Sequence, residues 1–106
     1  MTHEKALSAL ADPTRRTVFE RLRSGPKSAG HLAQGLAVSR PAVSQHLKAL
    51  REAGLVADEK RGRSRIYRIE HGGLEALRSY LDSFWGDVLD AYKEALEHDE
   101  RDQNSD

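Results

Sequence analysis

The sequence predicts a mostly α-helical domain with one small β-hairpin, and three observations predict it. Apolar residues recur at helical spacing through most of the 106 residues. One stretch, Leu55 to Glu70, switches instead to strand-like alternation on either side of a glycine. Charge is also segregated. The chain is neutral overall, with 17 Lys plus Arg against 17 Asp plus Glu, yet residues 1–39 sum to +3, residues 40–70 to +4 and residues 71–106 to −7.

The elements follow in order. Ala6, Leu7 and Leu10 define a short first helix over Glu4 to Leu10. It stops at Asp12-Pro13, where the next begins, because Asp12 can accept from a first-turn amide and Pro13 loses nothing at the first helical position. Val18, Phe19 and Leu22 give that second helix its apolar face, and Gly25-Pro26 ends it. Ser28 caps a third helix carrying Leu32 and Leu36, in which Gly30 and Gly35 each weaken helix formation by about 1 kcal/mol relative to Ala. A three-residue loop, Ala37 to Ser39, leads into a fourth helix capped by Ser39, with Pro41 in its first turn and Gly54 at its end.

On the fourth helix Val43, Leu47 and Leu50 share one face, while Pro41, Ser44, Gln45 and Lys48 share the opposite one. Strands over Leu55 to Lys60 and Arg65 to Glu70 then flank Arg61, Gly62, Arg63 and Ser64, with Tyr67 and Ile69 on one face. Gly72-Gly73 breaks the pattern, and a long last helix runs from about Leu74 to about His98. Residues 1–98 are expected to form one domain and residues 99–106 a disordered acidic tail.

Composition removes several classes of function. No apolar run exceeds three residues, whereas a bilayer span needs about 20, so no membrane partner is expected. The first residues lack the apolar segment of a secretory signal, and a cytoplasmic location is expected. Without cysteine there is no disulfide, no thiolate metal site and no thiol nucleophile. Ser44 and His46, two positions apart on a helix, point to different sides and cannot act as nucleophile and base. No catalytic residue and no cofactor is expected.

Three short helices, the third and fourth joined tightly, followed by a basic hairpin, are the parts of a winged helix-turn-helix. Its expected partner is double-stranded DNA. Ser44, Gln45 and Lys48 present hydroxyl, amide and ammonium groups suited to base edges in a major groove. Ser39, Arg40 and Lys27 are the expected phosphate contacts, aided by the helix start, and Pro41 keeps the leading face slim. Arg61, Gly62, Arg63 and Arg65, next to Lys60, form a cationic tip suited to the neighbouring groove. His46, at the border of the buried face, is expected to make a local hydrogen bond, with a phosphate as the alternative.

The last helix is too long for so small a body. Twenty-five residues span about 37 Å, so its stripe should overhang the core and meet a second copy. The expected homodimer interface comprises Leu7, Leu10, Leu77, Leu81, Phe84, Trp85, Val88, Leu89 and Tyr92. Gly86, in mid-helix, would mark close approach of the partner's backbone.

Leu10-Ala11-Asp12-Pro13-Thr14-Arg15-Arg16, then Val38-Ser39-Arg40-Pro41-Ala42-Val43-Ser44-Gln45-His46-Leu47, then Arg51-Glu52-Ala53-Gly54-Leu55-Val56, and Gly62-Arg63 before Tyr67 together resemble the bacterial ArsR-type winged-helix repressors. The likeness covers roughly residues 5 to 96. It implies a homodimer, built on the first and last helices, that sets two recognition helices on an inverted-repeat operator. It assigns Ser44, Gln45 and His46 to the recognition helix and Arg61, Gly62 and Arg63 to the wing.

The family's metal sensors carry ligands that this chain lacks. Where thiolate sensors hold paired cysteines it has His31, Leu32, Ala33 and Gln34, and the last helix offers Asp82, Asp87, Asp90 and Glu94 with only His98. No metal is expected, although His3, His98 and Glu94 lie on segments that would meet in a dimer. Two alternatives stay open: a winged-helix module that binds protein, and a repressor switched by a metal or ligand at an unrecognised site.

Overall fold

The computed structural model describes residues 3–104. Its elements are α1 (His3–Ala11), α2 (Pro13–Arg21), β1 (Lys27–Ser28), α3 (Ala29–Ala33), α4 (Arg40–Glu52), β2 (Val56–Arg61), β3 (Ser64–Ile69) and α5 (His71–Asn104), with a 3-10 turn at Leu22–Ser24. The mainly helical fold with a winged hairpin is present, and no helix among the described residues is long and apolar enough to cross a membrane.

Local chemistry sets most boundaries. The Asp12 side chain accepts from the Arg15 amide at 2.9 Å, with Pro13 opening α2 behind it. The start of α2 is tied back to α1 by Arg15 and Arg16, whose guanidiniums donate to the carbonyls of Ala9 and Leu10 at the end of α1. Ser28 and Ser39 cap α3 and α4 in the same way, accepting from His31 and Ala42 at 3.2 Å each.

α4 ends in a paired-bond cap. The Leu55 amide reaches back to the Leu50 carbonyl and the Gly54 amide to Arg51, both at 3.0 Å, with Gly54 at φ 74°. This is the geometry in which only glycine is unstrained. Leu50 and Leu55, the residues this cap brings together, are both fully buried in the same apolar cluster.

Three features differ from the sequence expectation. α3 is only five residues long, because Gln34 turns extended and Gly35 takes φ 75°, so the connection to α4 is six residues rather than three. Leu36 still packs against the core from that connection. The sheet has a third strand, in the order β1-β3-β2, with Lys27 opposite Tyr67 and Ser28 opposite Ile66. A two-residue strand has no periodicity of its own to betray it.

α5 is the third difference, starting at His71 and running to Asn104. Gly72 and Gly73 therefore lie inside its first turn. The Gly73 amide donates to the Gly54 carbonyl at 2.8 Å, and a Cβ on Gly73 would sit 2.7 Å from that same oxygen. The glycine serves as a docking point against the end of α4. At the far end, residues 99–104 continue the helix where a tail was expected, with no Gly or Pro to stop it. Ser105 and Asp106 lie outside the described residues.

The core gathers where α1, α2, α3, α4 and the sheet meet. Val18, Leu32, Val43, Leu47, Leu50, Leu55 and Val56 are fully buried there. Tyr67 is buried and Ile69 half-buried on the inner hairpin face, as the alternation predicted. The whole is elongated: the radius of gyration is 20.1 Å and the principal extents are 75 × 27 × 21 Å. A compact chain of this length would have a radius near 13 Å. The excess is α5, which at 1.5 Å per residue is about 51 Å long.

Candidate nucleic-acid interface

α4 offers the surface that its spacing predicted. Val43, Leu47 and Leu50 are fully buried, so Pro41, Ser44, Gln45 and Lys48 are forced outward and are exposed. The front is short and polar, with one ammonium group and no carboxylate until Glu52. A helix front of this kind can enter a major groove without a steric or electrostatic barrier.

The helix start is more restricted than its sequence suggests. The Ser39 hydroxyl is engaged as the cap, its carbonyl takes the Val43 amide at 3.1 Å, and Pro41 has no amide to offer. The Arg40 amide is the remaining donor of that turn. The Arg40 side chain is exposed, and its guanidinium lies over Gly30 of α3, where a Cβ would stand 3.3 Å from Cζ. Arg40 thus bridges the two helices of the helix-turn-helix at the edge of the front.

His46 is half-buried at the border, where a local role was expected. The Asp12 carboxyl is held below the usual carboxylate range, first by the Arg15 amide and, beyond that, by the nearby charge of His46. Among the described residues, no side-chain hydrogen bond of His46 accompanies that position. Lys27 is also drawn inward: its ammonium donates to the Ser24 hydroxyl at 2.6 Å and to the Gly25 carbonyl at 3.2 Å.

The hairpin turns through two residues, Gly62 and Arg63, with Arg61 opposite Ser64. Gly62 takes φ 60° and Arg63 a negative φ, the pattern of a primed hairpin turn with glycine first. Lys60, Arg61, Gly62, Arg63 and Arg65 are all exposed. Arg61 lies 3.6 Å from Glu59, an open pair that exerts little hold, whereas no ion pair among the described residues engages Arg63 at the tip.

Arg65 is different. It donates to Asp58 Oδ2, the same oxygen that accepts from Arg51 of α4 at 3.2 Å. These bonds, from Arg65 above all, hold the Asp58 carboxyl below the usual carboxylate range. Arg51 and Asp58 were missed from the sequence. The available signal was that Arg51 continues the Ser44-Lys48 face by three residues and Asp58 shares a strand face with Val56 and Lys60.

The expected dimer surface divides in two. Leu10 and Leu77 pack partly buried against the protomer's own core. Leu7, Leu81, Phe84, Trp85, Val88, Leu89 and Tyr92 are exposed, as are Tyr80 and Leu96, which the sequence reading omitted. Trp85 is 55% and Tyr92 62% open. His3 stacks on Tyr80 with ring centroids 4.1 Å apart, fastening α1 to α5, while His98 lies 18 residues further along the helix, about 27 Å away. Within one protomer these histidines do not converge.

Comparison with known proteins agrees with this geometry. Residues 10–59 match a family described as a helix-turn-helix domain. The chain is 50% identical over 94 residues to the HTH-type transcriptional regulator Rv2034 of Mycobacterium tuberculosis, covering 89% of this chain and 88% of that one. It is 34% identical over 76 residues to the transcriptional repressor SdpR of Bacillus subtilis, covering 72% and 84%. Among solved structures, an ArsR-like transcriptional regulator from Rhodococcus superposes with a TM-score of 0.73 at 33% identity, over 91% of this chain and 90% of that one.

Proposed function

Because the chain belongs to the ArsR-type helix-turn-helix transcriptional regulators, and is a DNA-binding repressor of that kind, we propose that it works in the cytoplasm as a homodimer on an inverted-repeat operator. One observation carries the proposal. Seven of the nine residues expected at the interface stand open on α1 and α5, with Tyr80 and Leu96 extending the same apolar surface. Large apolar side chains left half open each forgo on the order of 1 kcal/mol of burial, and a contiguous set of them marks a contact surface. A second copy, related by a twofold axis, covers such a stripe with its own.

Within the dimer each α4 enters a major groove. Ser44, Gln45 and Lys48 read or approach bases, Gln45 having the paired donor and acceptor that suit adenine. Arg40 and the start of α4 near Ser39 and Pro41 hold phosphate. Arg61, Gly62 and Arg63 lie along the neighbouring groove. The structure favours Arg63 over Arg65 for that contact, since Arg65 is engaged by Asp58. Lys27, held by Ser24 and Gly25 inside the protomer, and His46, half-buried at the border of the front, are secondary to these.

Selection of bound duplexes from a random pool tests the proposal. The expected product is a palindrome whose half-sites are spaced by about one helical turn or a multiple of it, bound by two chains. An enriched single half-site, bound by one chain, would refute the dimeric reading.

A further inference from the structure

We infer that Asp58 is a positioning residue for DNA recognition, locking the wing to the recognition helix by holding Arg51 of α4 and Arg65 of β3 on one carboxylate oxygen. The inference rests on the DNA-binding reading above and concerns how its two contact surfaces are kept in register.

The hairpin geometry puts Asp58 at a decisive place. Val56 pairs with Ile69, Asp58 with Tyr67 and Lys60 with Arg65, so these six side chains share one face of the hairpin. That face is apolar at its base, where Val56 and Tyr67 are buried and Ile69 is half-buried, and charged toward its tip. Asp58 lies at the changeover. The short strand β1 adds support only at Ile66 and Tyr67. From Glu59 to Arg65 every residue is exposed, and among the described residues no ion pair or side-chain hydrogen bond other than that of Arg65 ties this tip to the body.

Arg51 gives the lock its direction. It lies three residues beyond Lys48 and seven beyond Ser44, hence on the outward face of the helix that carries the base-reading groups. A tie between Arg51 and Asp58 therefore connects that face to the hairpin, and the tie from Asp58 to Arg65 carries the connection across to the second strand. Isolated ion pairs in open water contribute little. Here two guanidiniums converge on Oδ2 of a side chain that is only 10% exposed, a charge-assisted network with fixed geometry. The three groups together keep one net positive charge.

A lock has a signature that ordinary stabilisation lacks. Without the carboxylate, two arginines are released beside the DNA and the local charge rises by one, so attraction to any duplex grows. The angle between α4 and the Arg63 tip is no longer set, so the preference for one sequence falls. Loss of fold would weaken both kinds of binding together.

The test uses the full chain, a duplex enriched by the wild-type protein from a random pool, and a scrambled duplex of equal length and composition. For Asp58→Asn the ratio of the two affinities is expected to fall about tenfold, with scrambled-duplex binding unchanged or tighter. Arg51→Gln cuts the helix arm alone and keeps Asp58 and Arg65 together, so it remains informative should Asp58→Asn fold poorly. It should lower the ratio in the same direction, and the double variant should be no worse than Asp58→Asn. A wild-type ratio in folded Asp58→Asn or Arg51→Gln, or additive losses in the double variant, would overturn the lock while leaving the DNA-binding reading intact. If the wild-type chain itself prefers no duplex, that reading falls and the inference with it.

Discussion

The body of the molecule and its last helix use the same apolar residues to opposite ends. In α4, Val43, Leu47 and Leu50 are fully buried and force the polar front outward. In α5, Leu81, Phe84, Trp85, Val88, Leu89 and Tyr92 have comparable size and helical spacing, yet all are exposed. Helical periodicity says that a face must be buried and is silent about which chain buries it. Length decides that question: a helix of 13 residues fits within the body, and one of 34 overhangs it.

A pair of substitutions separates the two helices. Leu47→Ala should destabilise the fold by about 2 to 5 kcal/mol, as large-to-small changes in a closed core do, and denaturant titration should find that loss whatever the DNA-binding state. Trp85→Asp should leave the body folded and raise the dimer dissociation constant by at least about thirtyfold, on the order of 2 kcal/mol, read by sedimentation equilibrium. Concentration-independent destabilisation by Trp85→Asp would mean that α5 belongs to the monomer's core after all.

A second pair divides the DNA-facing surface. Gln45→Ala should lose about 1 to 3 kcal/mol at one operator position and little elsewhere. Arg63→Ala should weaken binding to all duplexes and flatten the salt dependence by about one unit of slope. Equal loss on every sequence from both changes would erase the distinction between a reading helix and a positioning wing.

Acid should loosen the body through two carboxyls. Asp12 and Asp58 both have carboxyls held below the ordinary value, by the Arg15 amide and by Arg65 with Arg51 respectively. A carboxyl lowered in the folded state contributes stability that is complete above its unfolded value near 4 and lost as pH falls through the lower, folded one. Denaturant titrations below pH 4 should therefore show falling stability, with a shallower dependence in Asp58→Asn.

Gly86 is a finer probe: beyond its own stretch of helix, none of the described residues lies within 4 Å of where a Cβ would be. Gly86→Ala should favour the helix by up to about 1 kcal/mol in the monomer. If the partner's backbone approaches there, the dimer should nevertheless weaken. An equal or tighter dimer removes that contact.

What was legible in the sequence was local. Asp12-Pro13, Ser39 and Gly54 announce helix ends because each satisfies backbone groups within a few residues of itself. The outward set Ser44, Gln45 and Lys48 follows from the buried set by helix geometry alone. What stayed hidden depends on distant neighbours. β1 exists only through Tyr67 and Ile66, and Gly73 looks like a breaker until the Gly54 carbonyl is set against it. Asp58 looks like one more surface charge until two arginines from different elements meet on it. Lys27 and Arg65 look like free cations until Ser24, Gly25 and Asp58 are set beside them, because a sequence shows charge without its partners.

Sedimentation equilibrium of the wild-type chain from nanomolar to micromolar concentration decides whether a second copy covers α5. Two chains of 11.9 kDa joined through α5 should give a species of twice that mass at micromolar concentration, dissociating on dilution or with Trp85→Asp. A single 11.9 kDa species throughout the range would mean that no second copy covers it.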